Sequence, residues 1–322
     1  MTFVPNIKKH QNVAVLMGGW SNEREVSLSS GGAIADALEE AGYQTYRIDV
    51  TRDLTKLLAD IPKDTDVIFN ALHGTGGEDG TIQGLMNILQ TPYTHSGIFA
   101  SSMAFDKNSC KEKLAPHGMP IIPGEIITEE DVIDENLPYA APFVIKPNAE
   151  GSSVGVSIIQ QGDNRLHDIC KGWQYGDALI EKFISGRELT VTILEDQEQQ
   201  PRALTVTEIR PKLGHFYDYS SKYADGGSEH ILPAPVPEDI FEQAKAYAAL
   251  AHTHLKCSGI SRSDFIYKEE DETDLPAGLY YLETNTQPGM TATSLSPEQA
   301  AFTGLSFPDL LSCLVENAKC HG

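Results

Sequence analysis

The first hundred residues alternate short apolar runs with longer polar segments, and this order is the feature that most restricts the fold. The runs "VAVLMGG", "YQTYRIDV" and "DVIFNALHG" predict strands, and "SNEREVSLSSGGAIADALEEAG" and "TIQGLMNILQ" predict helices. We expect Ser21 to be the N-cap of the first helix and Gly42 to end it. This alternation predicts a doubly wound α/β unit, whose ligands would lie beyond the carboxyl ends of its strands, beside "GGWSNERE" and "HGTGGEDG".

The rest of the chain predicts a mixed α+β arrangement. "SSMAFDKNSCKEKLAPHG" is typical of one helix, and "FVIKP", "GVSII" and "ALIEKFI" are typical of short strands. Four further strands are predicted at "ELTVTIL", "ALTVTEI", "RSDFIYKEE" and "GLYYLETN", with the helix "PEDIFEQAKAYAALAHTHL" among them. We therefore predict three domains, at residues 1–106, 107–187 and 188–322.

Charge and composition exclude several classes of protein. The net charge of −22 repels nucleic-acid phosphates, so a polyphosphate ligand must be small and held by a few placed cations, with a divalent metal. No apolar run approaches the length of a membrane helix, and the N-terminus lacks the pattern of a signal peptide. Five cysteines without a C-x-x-C pair argue against a disulfide framework and a zinc site. These features predict a cytoplasmic protein that binds neither nucleic acid nor membrane.

The stretch "VIKPNAEGSSVGVSII" allows two interpretations. Gly151 to Gly155 fits G-x-S-x-G, the nucleophile turn of a hydrolase, but that turn must enter a helix. Here the β-branched "VSII" predicts a strand, which favours a strand–loop–strand flap whose amides close on phosphates. Lys146, before this flap, could meet the α- and β-phosphates of a nucleotide, although an exposed surface position is the commonest fate of a lysine.

The segment "YYLETNTQPGMT" is the strongest local signal. Glu283 and Asn285 are two residues apart on a predicted strand, so both project from the same face. Their oxygens suit Mg²⁺, and Asp264 on a neighbouring predicted strand could supply a third ligand. Arg262 lies two residues before Asp264 and could point at whatever the metal holds. The alternative is a polar pair on a solvated strand face.

Three other positions give weaker signals. Glu23 and Glu25 lie in the predicted first turn of a helix, where acidic residues are favourable without any further role. We accept that explanation for Glu25. His73 ends a predicted buried strand among glycines, and local sequence does not separate a functional histidine from a structural one. Lys107, in "AFDKNSCKEK", is a weak signal by itself.

Taken together, the motifs resemble one family, the D-alanine–D-alanine ligases of the ATP-grasp superfamily. The matching stretches, in the family's order and across nearly the whole chain, are "GGWSNEREVSLSSG", "ALHGTGGEDGTIQG", "DK", "KPNAEGSSVGVS", "LIEKFISGRELTV", "FYDYSSKY", "SRSDFIY" and "LETNTQPGMTATSLSP". The resemblance implies a three-domain ATP-grasp architecture and a homodimer. It implies ATP-dependent ligation of two D-alanine molecules through D-alanyl phosphate, with two Mg²⁺ or Mn²⁺, in peptidoglycan precursor synthesis.

The same resemblance assigns a role to each candidate residue. Lys107 and Lys146 would contact ATP phosphates, and the flap at Ser152 and Ser153 would close over them. The other implied roles are the adenine hinge (Glu181, Lys182, Ile184), the ribose contact (Glu188), the metal ligands (Asp264, Glu283, Asn285), the first D-alanine (Glu23, His73), the oxyanion site (Arg262 and the amide of Gly289), the carboxylate of the second D-alanine (Ser294, Leu295) and a mobile sealing loop (Lys222, Tyr223). A hydrogen-bond chain Tyr223–Ser153–Glu23 would hold the first D-alanine.

Three positions depart from the commonest pattern of that family. Ser263 replaces an aliphatic residue between Arg262 and Asp264, and Thr284 replaces a small apolar residue between the metal ligands. Trp20 is larger than the usual residue after the paired glycines. Each change spares the reactive groups, so it bears on packing and affinity rather than on the reaction.

Two rival functions make different predictions. A serine hydrolase using Ser153 would react with a fluorophosphonate and would not need ATP. A nucleotide-binding protein without turnover should have lost its metal ligands, whereas Asp264, Glu283 and Asn285 are all present.

Overall fold

A computed structural model describes residues 9–151, 154–211, 227–270, 275–291 and 293–321. Among these residues, no helix combines the length and the apolar character that crossing a bilayer requires. The strands, in chain order, are β1 (Asn12–Gly18), β2 (Gln44–Val50), β3 (Val67–Asn70), β4 (Gly124–Ile127), β5 (Phe143–Pro147), β6 (Ser157–Ile159), β7 (Ala178–Lys182), β8 (Arg187–Glu195), β9 (Pro201–Pro211), β10 (Ser228–Ile231), β11 (Ile260–Lys268) and β12 (Gly278–Asn285). The helices are α1 (Arg24–Glu40), α2 (Leu54–Asp60), α3 (Thr81–Leu89), α4 (Ile98–Phe105), α5 (Lys107–Leu114), α6 (Glu129–Ile133), α7 (Leu166–Lys171), α8 (Glu238–His254), α9 (Leu295–Phe302) and α10 (Phe307–Glu316).

The first three strands form a parallel sheet in the order β2-β1-β3. Successive side chains of β1 enter two different cores, with Val13 and Val15 in one and Ala14 and Leu16 in the other. Helix α1 packs into the first core and helix α3 into the second, so both faces of the sheet are covered. The predicted doubly wound α/β unit is confirmed.

The later strands form two antiparallel sheets, as the mixed α+β prediction requires. A four-stranded sheet has the order β4-β7-β5-β6, and a five-stranded sheet has the order β10-β9-β8-β11-β12. Helix α8 packs on β8, β9, β11 and β12 through its alanine face, which includes Ala244, Ala248 and Ala251. Helix α10 returns to the first sheet, where Leu310 and Leu314 share the core of β1 and α1. Helix α10 therefore holds the five-stranded sheet against the first sheet.

The predicted N-cap of α1 is wrong. The helix begins at Arg24 with Glu23 at the N-cap position. The hydroxyl of Ser21 instead donates to the carbonyl of His73 at 2.7 Å and accepts from the amide of Glu23 at 3.1 Å. Ser21 thus joins the start of α1 to the loop after β3, because that carbonyl lies within reach in the folded chain. Gly42 follows the helix with a φ of 86°, as expected for a C-terminal stop.

The predicted single helix around Lys107 is also wrong, because Asp106 separates α4 from α5. Asp106 has extended backbone angles, and its carboxylate accepts from the amide of Ser109 at 2.8 Å as the N-cap of α5. Its other oxygen accepts from the side-chain amide of Asn148 at 2.8 Å. The break places Lys107 at the first position of α5, beside the loop that follows β5.

Ser27 gives a test of how the carboxyl ends of β1 and β3 are held together. Its hydroxyl, fully buried, accepts from the amide of Gly18 at 2.9 Å and donates to the carbonyl of Ala71 at 2.7 Å. Ser27→Ala leaves both groups unsatisfied, so we expect the free energy of unfolding to fall by about 1–3 kcal/mol. Urea denaturation measures this change, and Ser29→Ala on the exposed side of α1 is the control. Equal stability of the two variants would contradict the bridging role.

Candidate active site

A deep cleft lies between the four-stranded and five-stranded sheets. Its walls are largely apolar and include Val144, Ile158 and Ile209, with charged groups at one end. This division into an apolar wall and a few polar groups is typical of a site for a flat heterocycle with a charged tail. The cleft brings together all of the predicted ATP residues that the structure describes, together with two predicted metal ligands: Lys107, Lys146, Glu181, Lys182, Ile184, Glu188, Asp264 and Glu283.

Two lysines lie at the charged end of this cleft. Lys146 is only 7% exposed, so the alternative of an ordinary surface lysine is wrong. Its ammonium lies 2.6 Å from Oε2 of Glu181. Lys107 is also buried; its ammonium donates to the carbonyl of Glu150 at 2.5 Å and lies 3.9 Å from Oε2 of Glu283. Both cations line the cleft, and each lies beside a carboxylate.

A third lysine, Lys111, was not predicted. It is 5% exposed and pairs with Oε1 of Glu181, on the opposite side from Lys146. Burial tends to raise the pKa of Glu181, but the charges of Lys111 and Lys146 outweigh it and lower that pKa. The only sequence signal for Lys111 is its position four residues after Lys107, which puts both on one face of α5.

The predicted metal ligands face one another on β11 and β12. The strand register pairs Asp264 with Glu283 and Arg262 with Asn285. Asp264 accepts from the hydroxyl of Thr190 at 2.6 Å and from the guanidinium of Arg262 at 3.0 and 2.8 Å. Each carboxylate therefore has a cation of the chain beside it, Arg262 for Asp264 and Lys107 for Glu283.

The two departures from the family pattern on these strands contact each other. Behind the metal ligands, the hydroxyls of Ser263 and Thr284 are 2.8 Å apart and buried. The hydroxyl of Tyr281 donates to Thr284 at 2.7 Å and lies 3.1 Å from the sulfur of Cys110 on α5. A polar pair thus replaces an apolar one, and its hydrogen bonds connect β11, β12 and α5.

A second pocket lies between the first sheet and the loop that follows β12. It contains the residues predicted for the two D-alanine sites and the oxyanion site: Glu23, His73, Arg262, Gly289, Ser294 and Leu295. Asn285 also lines it, and Gln287 joins it to the first sheet by accepting from Asn70 at 2.6 Å and donating to the carbonyl of Leu72. These contacts bring the "TNTQPGMT" turn to the carboxyl end of β3.

Helix α9 begins at this second pocket. Ser294 is its N-cap residue, and the hydroxyl of Ser294 accepts from the amide of Thr291 at 3.1 Å. Gly289 packs closely here, since an added Cβ would lie 3.2 Å from Oγ of Ser294. The start of the helix presents amides and the positive end of its dipole to the pocket, which favours a carboxylate.

Two residues of the second pocket were missed by sequence reasoning. Glu78 lies in "GGEDG" and is only 9% exposed, with Oε1 accepting from the amide of Gly74 at 3.1 Å. His230 on β10 places Nδ1 2.6 Å from Glu298 of α9 and Nε2 3.1 Å from Ser228. The contacts of Glu78 with His73 and of His230 with Glu298 join residues at neither helical nor strand spacing, so periodicity did not identify them.

His73 is buried beside charged groups. Its Nε2 is 3.1 Å from the hydroxyl of Ser30, and its Nδ1 is 3.4 Å from Glu78. Burial tends to lower the pKa of His73, but the carboxylates of Glu78 and Glu23 outweigh this effect and raise it. A cationic His73 would attract a substrate carboxylate while Glu23 attracts an ammonium group.

A small cavity joins the two pockets. It is lined by Lys107, Glu150 and Glu283 from the cleft and by Glu78 and Asn285 from the second pocket. An added Cβ at Gly151, the start of the flap, would lie 3.0 Å from a carboxylate oxygen of Glu23. The cleft and the second pocket are therefore neighbours.

Some predicted residues lie outside the described part of the chain. These are Ser152, Ser153, Lys222 and Tyr223, so their roles and the chain Tyr223–Ser153–Glu23 stay predictions. Within the described residues, no three histidine, cysteine, aspartate or glutamate side chains cluster as a metal site. The predicted ligand set has only two carboxylates and one amide.

Comparison with known proteins is consistent with this geometry. A family model described as D-ala D-ala ligase C-terminus matches residues 118–316, and one described as D-ala D-ala ligase N-terminus matches residues 54–96. The D-alanine–D-alanine ligase of Acidiphilium cryptum is 50% identical, covering 97% of this chain and 99% of its own. That of Rhizorhabdus wittichii is 51% identical, covering 95% and 96%.

Solved structures are similar over the same length. A D-alanine–D-alanine ligase of Bacillus anthracis complexed with ATP has a TM-score of 0.76 at 30% identity, covering 96% of this chain and 97% of its own. The VanG D-Ala:D-Ser ligase of Enterococcus faecalis has a TM-score of 0.75 at 25% identity, covering 95% and 99%.

The pair of His73 and Glu78 gives a pH-dependent prediction. Because the folded-state pKa of His73 is raised, its protonated form stabilises the fold below the unfolded pKa, and this stabilisation is lost as pH rises through the folded pKa. Glu78→Gln should therefore reduce the free energy of unfolding more at about pH 6 than at about pH 8.5. Urea denaturation at both pH values measures the difference, with Glu25→Gln, an exposed glutamate of the same pocket, as control. An equal loss at both pH values would exclude the charge interaction.

Proposed function

The chain belongs to the D-alanine–D-alanine ligase family, and from that premise we propose how its residues join two D-alanine molecules at the expense of ATP. The reaction gives D-alanyl-D-alanine, ADP and phosphate through D-alanyl phosphate, and the dipeptide serves as a peptidoglycan precursor. One observation supports the residue assignment most directly. The nucleotide cleft and the carboxylate pocket meet at Lys107, Glu283 and Asn285, so a carboxylate and a terminal phosphate could touch there.

The cleft binds ATP. Its apolar walls would hold adenine at the hinge formed by the end of β7 and the residues after it, which includes Glu181, Lys182 and Ile184, and Glu188 would hold the ribose. Lys146 and Lys107 would contact the phosphates, since both ammonium groups lie at the charged end of the cleft. Burial of Lys107 and Lys146 strengthens these contacts, because the attraction between opposite charges is stronger in a site that excludes water.

Asp264, Glu283 and Asn285 would hold two Mg²⁺ or Mn²⁺. The fit is supported by the donor set, since Mg²⁺ binds through one or two carboxylates and completes its shell with water and phosphate oxygens. It is also supported by the strand register, which sets Asp264 opposite Glu283. A bound metal ion would neutralise charge on the transferring phosphoryl group.

The first D-alanine would lie between Glu23 and His73, with its ammonium at Glu23 and its carboxylate directed to the terminal phosphate. Transfer of that phosphoryl group to the carboxylate gives D-alanyl phosphate and ADP. The residues supply positioning and charge stabilisation for this transfer, whose chemistry needs no nucleophile from the protein.

The second D-alanine would place its carboxylate at Ser294 and Leu295, on the positive end of α9. Its free amine attacks the acyl carbon, forming a tetrahedral oxyanion from which phosphate leaves. Arg262 and the amide of Gly289 line the same pocket and would stabilise the oxyanion. Acyl phosphates react with water, so the flap at Ser152 and Ser153 and the loop at Lys222 and Tyr223 would seal the site.

A homodimer is supported by an exposed apolar groove on the first α/β unit. Leu54, Ile88 and Ile98 are 52%, 79% and 40% exposed along it, and Trp20 lines its floor. Contiguous exposed apolar surface is typical of an interface, and a second copy would cover it. A cytoplasmic location is supported by the cysteines, all five of which are free thiols.

Glu283→Gln tests the proposed function and its metal ligands. Removing this carboxylate takes charge from the place where the phosphoryl group moves, so turnover should fall about a hundredfold or more. Phosphate release from ATP with D-alanine measures turnover, and L-alanine should not support it in the wild type. ATP binding, followed by calorimetry, should weaken only modestly. Glu242→Gln on the exposed side of α8 is the control, and wild-type turnover by Glu283→Gln would exclude the metal assignment.

Ile88→Lys tests the dimer. A lysine at this exposed position would have to be buried without a partner if the groove pairs with a second copy. Sedimentation should find a dimer for the wild type and a monomer for Ile88→Lys, with circular dichroism unchanged. Phe302→Lys, which changes an exposed aromatic residue on α9, is the control and should stay dimeric. A dimeric Ile88→Lys would place the interface elsewhere.

A further inference from the structure

Three charged side chains from three elements form one buried cluster beside the nucleotide cleft. Glu181 of β7 lies between Lys111 of α5 and Lys146 of β5, and the exposed fractions are 2%, 5% and 7%. Each carboxylate oxygen has its own lysine, with Oε1 at Lys111 and Oε2 at Lys146. Every member is therefore paired, and the cluster has one excess positive charge.

The two lysines differ in their access to the cleft. Lys146 and Glu181 line it, whereas Lys111 lies behind Glu181, outside the lining residues. Helix α5 is anchored in the turns before Lys111, by the N-cap carboxylate of Asp106 and by the contact of Cys110 with Tyr281. Lys111 is thus held against Glu181 and cannot reach a nucleotide without leaving it.

This arrangement solves an electrostatic problem that nucleotide binding creates. If Lys146 were the sole partner of Glu181, turning it to a phosphate would leave a buried carboxylate unpaired, which is strongly unfavourable. A second lysine that stays on Glu181 removes that penalty. The excess positive charge of the cluster then becomes available to the phosphate.

We propose that Lys111 is a positioning residue for nucleotide binding, which keeps Glu181 neutralised while Lys146 turns from Glu181 to a phosphate of ATP. The inference rests on the proposed function, in which Lys146 contacts a phosphate. It adds that the affinity of Lys146 for phosphate depends on a residue that does not touch the nucleotide.

Proton binding gives an independent sign of this role. Burial lowers the pKa of Lys111 to about 8, although Glu181 stabilises its charge, and repulsion by Lys146 acts in the same direction as burial. The titratable groups that face Lys111 are Glu181 of β7, Lys146 of β5 and Cys110 of its own helix. When Lys146 moves to a phosphate, this repulsion weakens and the nucleotide adds negative charge, so both changes raise the pKa of Lys111.

The direct test is the number of protons taken up when ADP binds. Calorimetry of ADP binding at about pH 8, in buffers with different ionisation enthalpies, measures this number. The wild type should take up a fraction of a proton, and Lys111→Met should lose that uptake. Lys113→Met, on the same helix but without Glu181 as a partner, should behave as the wild type. Uptake that persists in Lys111→Met would overturn the proposal.

Kinetics separate a positioning role from a general loss of structure. Lys111→Met should raise the KM for ATP about tenfold, the equivalent of one lost favourable contact, and leave the KM for D-alanine unchanged. Equal rises in both KM values would contradict the proposal. If Lys111→Met does not fold, the same measurements are made on Lys111→Gln. Proton uptake by the wild type that is absent in Lys111→Gln would then support the role of Lys111, and equal uptake by both proteins would overturn it.

Lys146→Met distinguishes the inference from the function on which it rests. Normal ADP affinity in Lys146→Met would overturn the phosphate role of Lys146, and with it the proposed site. Weak binding by Lys146→Met together with normal binding and normal proton uptake by Lys111→Met would overturn only the role of Lys111.

Discussion

The pairing of β11 with β12 is the constraint on which the rest of the site depends. Its register sets Asp264 against Glu283 and Arg262 against Asn285, so the residues proposed for the metal and the oxyanion share one face. The opposite face holds the contact between Ser263 and Thr284 in the core. A shift of one residue would exchange the two faces, burying the carboxylates and exposing the hydroxyls. The buried hydroxyl contact therefore specifies where the reactive groups lie.

Charge distribution explains how a chain with a net charge of −22 can bind anionic substrates. Lys107, Lys111, Lys146 and Arg262 lie in or beside the two pockets, and each has a buried or half-buried carboxylate next to it. Lys146 and Lys111 share Glu181, while Arg262 pairs with Asp264. Ligands can then be bound by exchange of partners, which avoids leaving any charge unpaired in a region of low dielectric. Excess negative charge elsewhere repels larger polyanions such as nucleic acid.

Sequence patterns predicted the elements well where local spacing decides them. The strands around Lys146, Asp264 and Glu283 lie where the patterns place them, because alternation and apolar runs depend only on neighbouring residues. The patterns failed where a side chain forms a hydrogen bond with a residue that is distant in the sequence. Ser21 bonds to the loop after β3 instead of capping α1, and Asp106 breaks a predicted helix by capping α5 and holding Asn148.

The sequence by itself determined most of the strands, the family resemblance and the candidate residues, because motifs are strings of neighbours. Tertiary structure alone decided that Lys111 pairs with Glu181, that Glu78 lies against His73, and that Ser263 meets Thr284. These partners are separated by up to 70 residues along the chain in the case of Lys111 and Glu181. No periodicity records such a contact. It exists only because packed sheets and helices exclude water and bring the side chains within bonding distance.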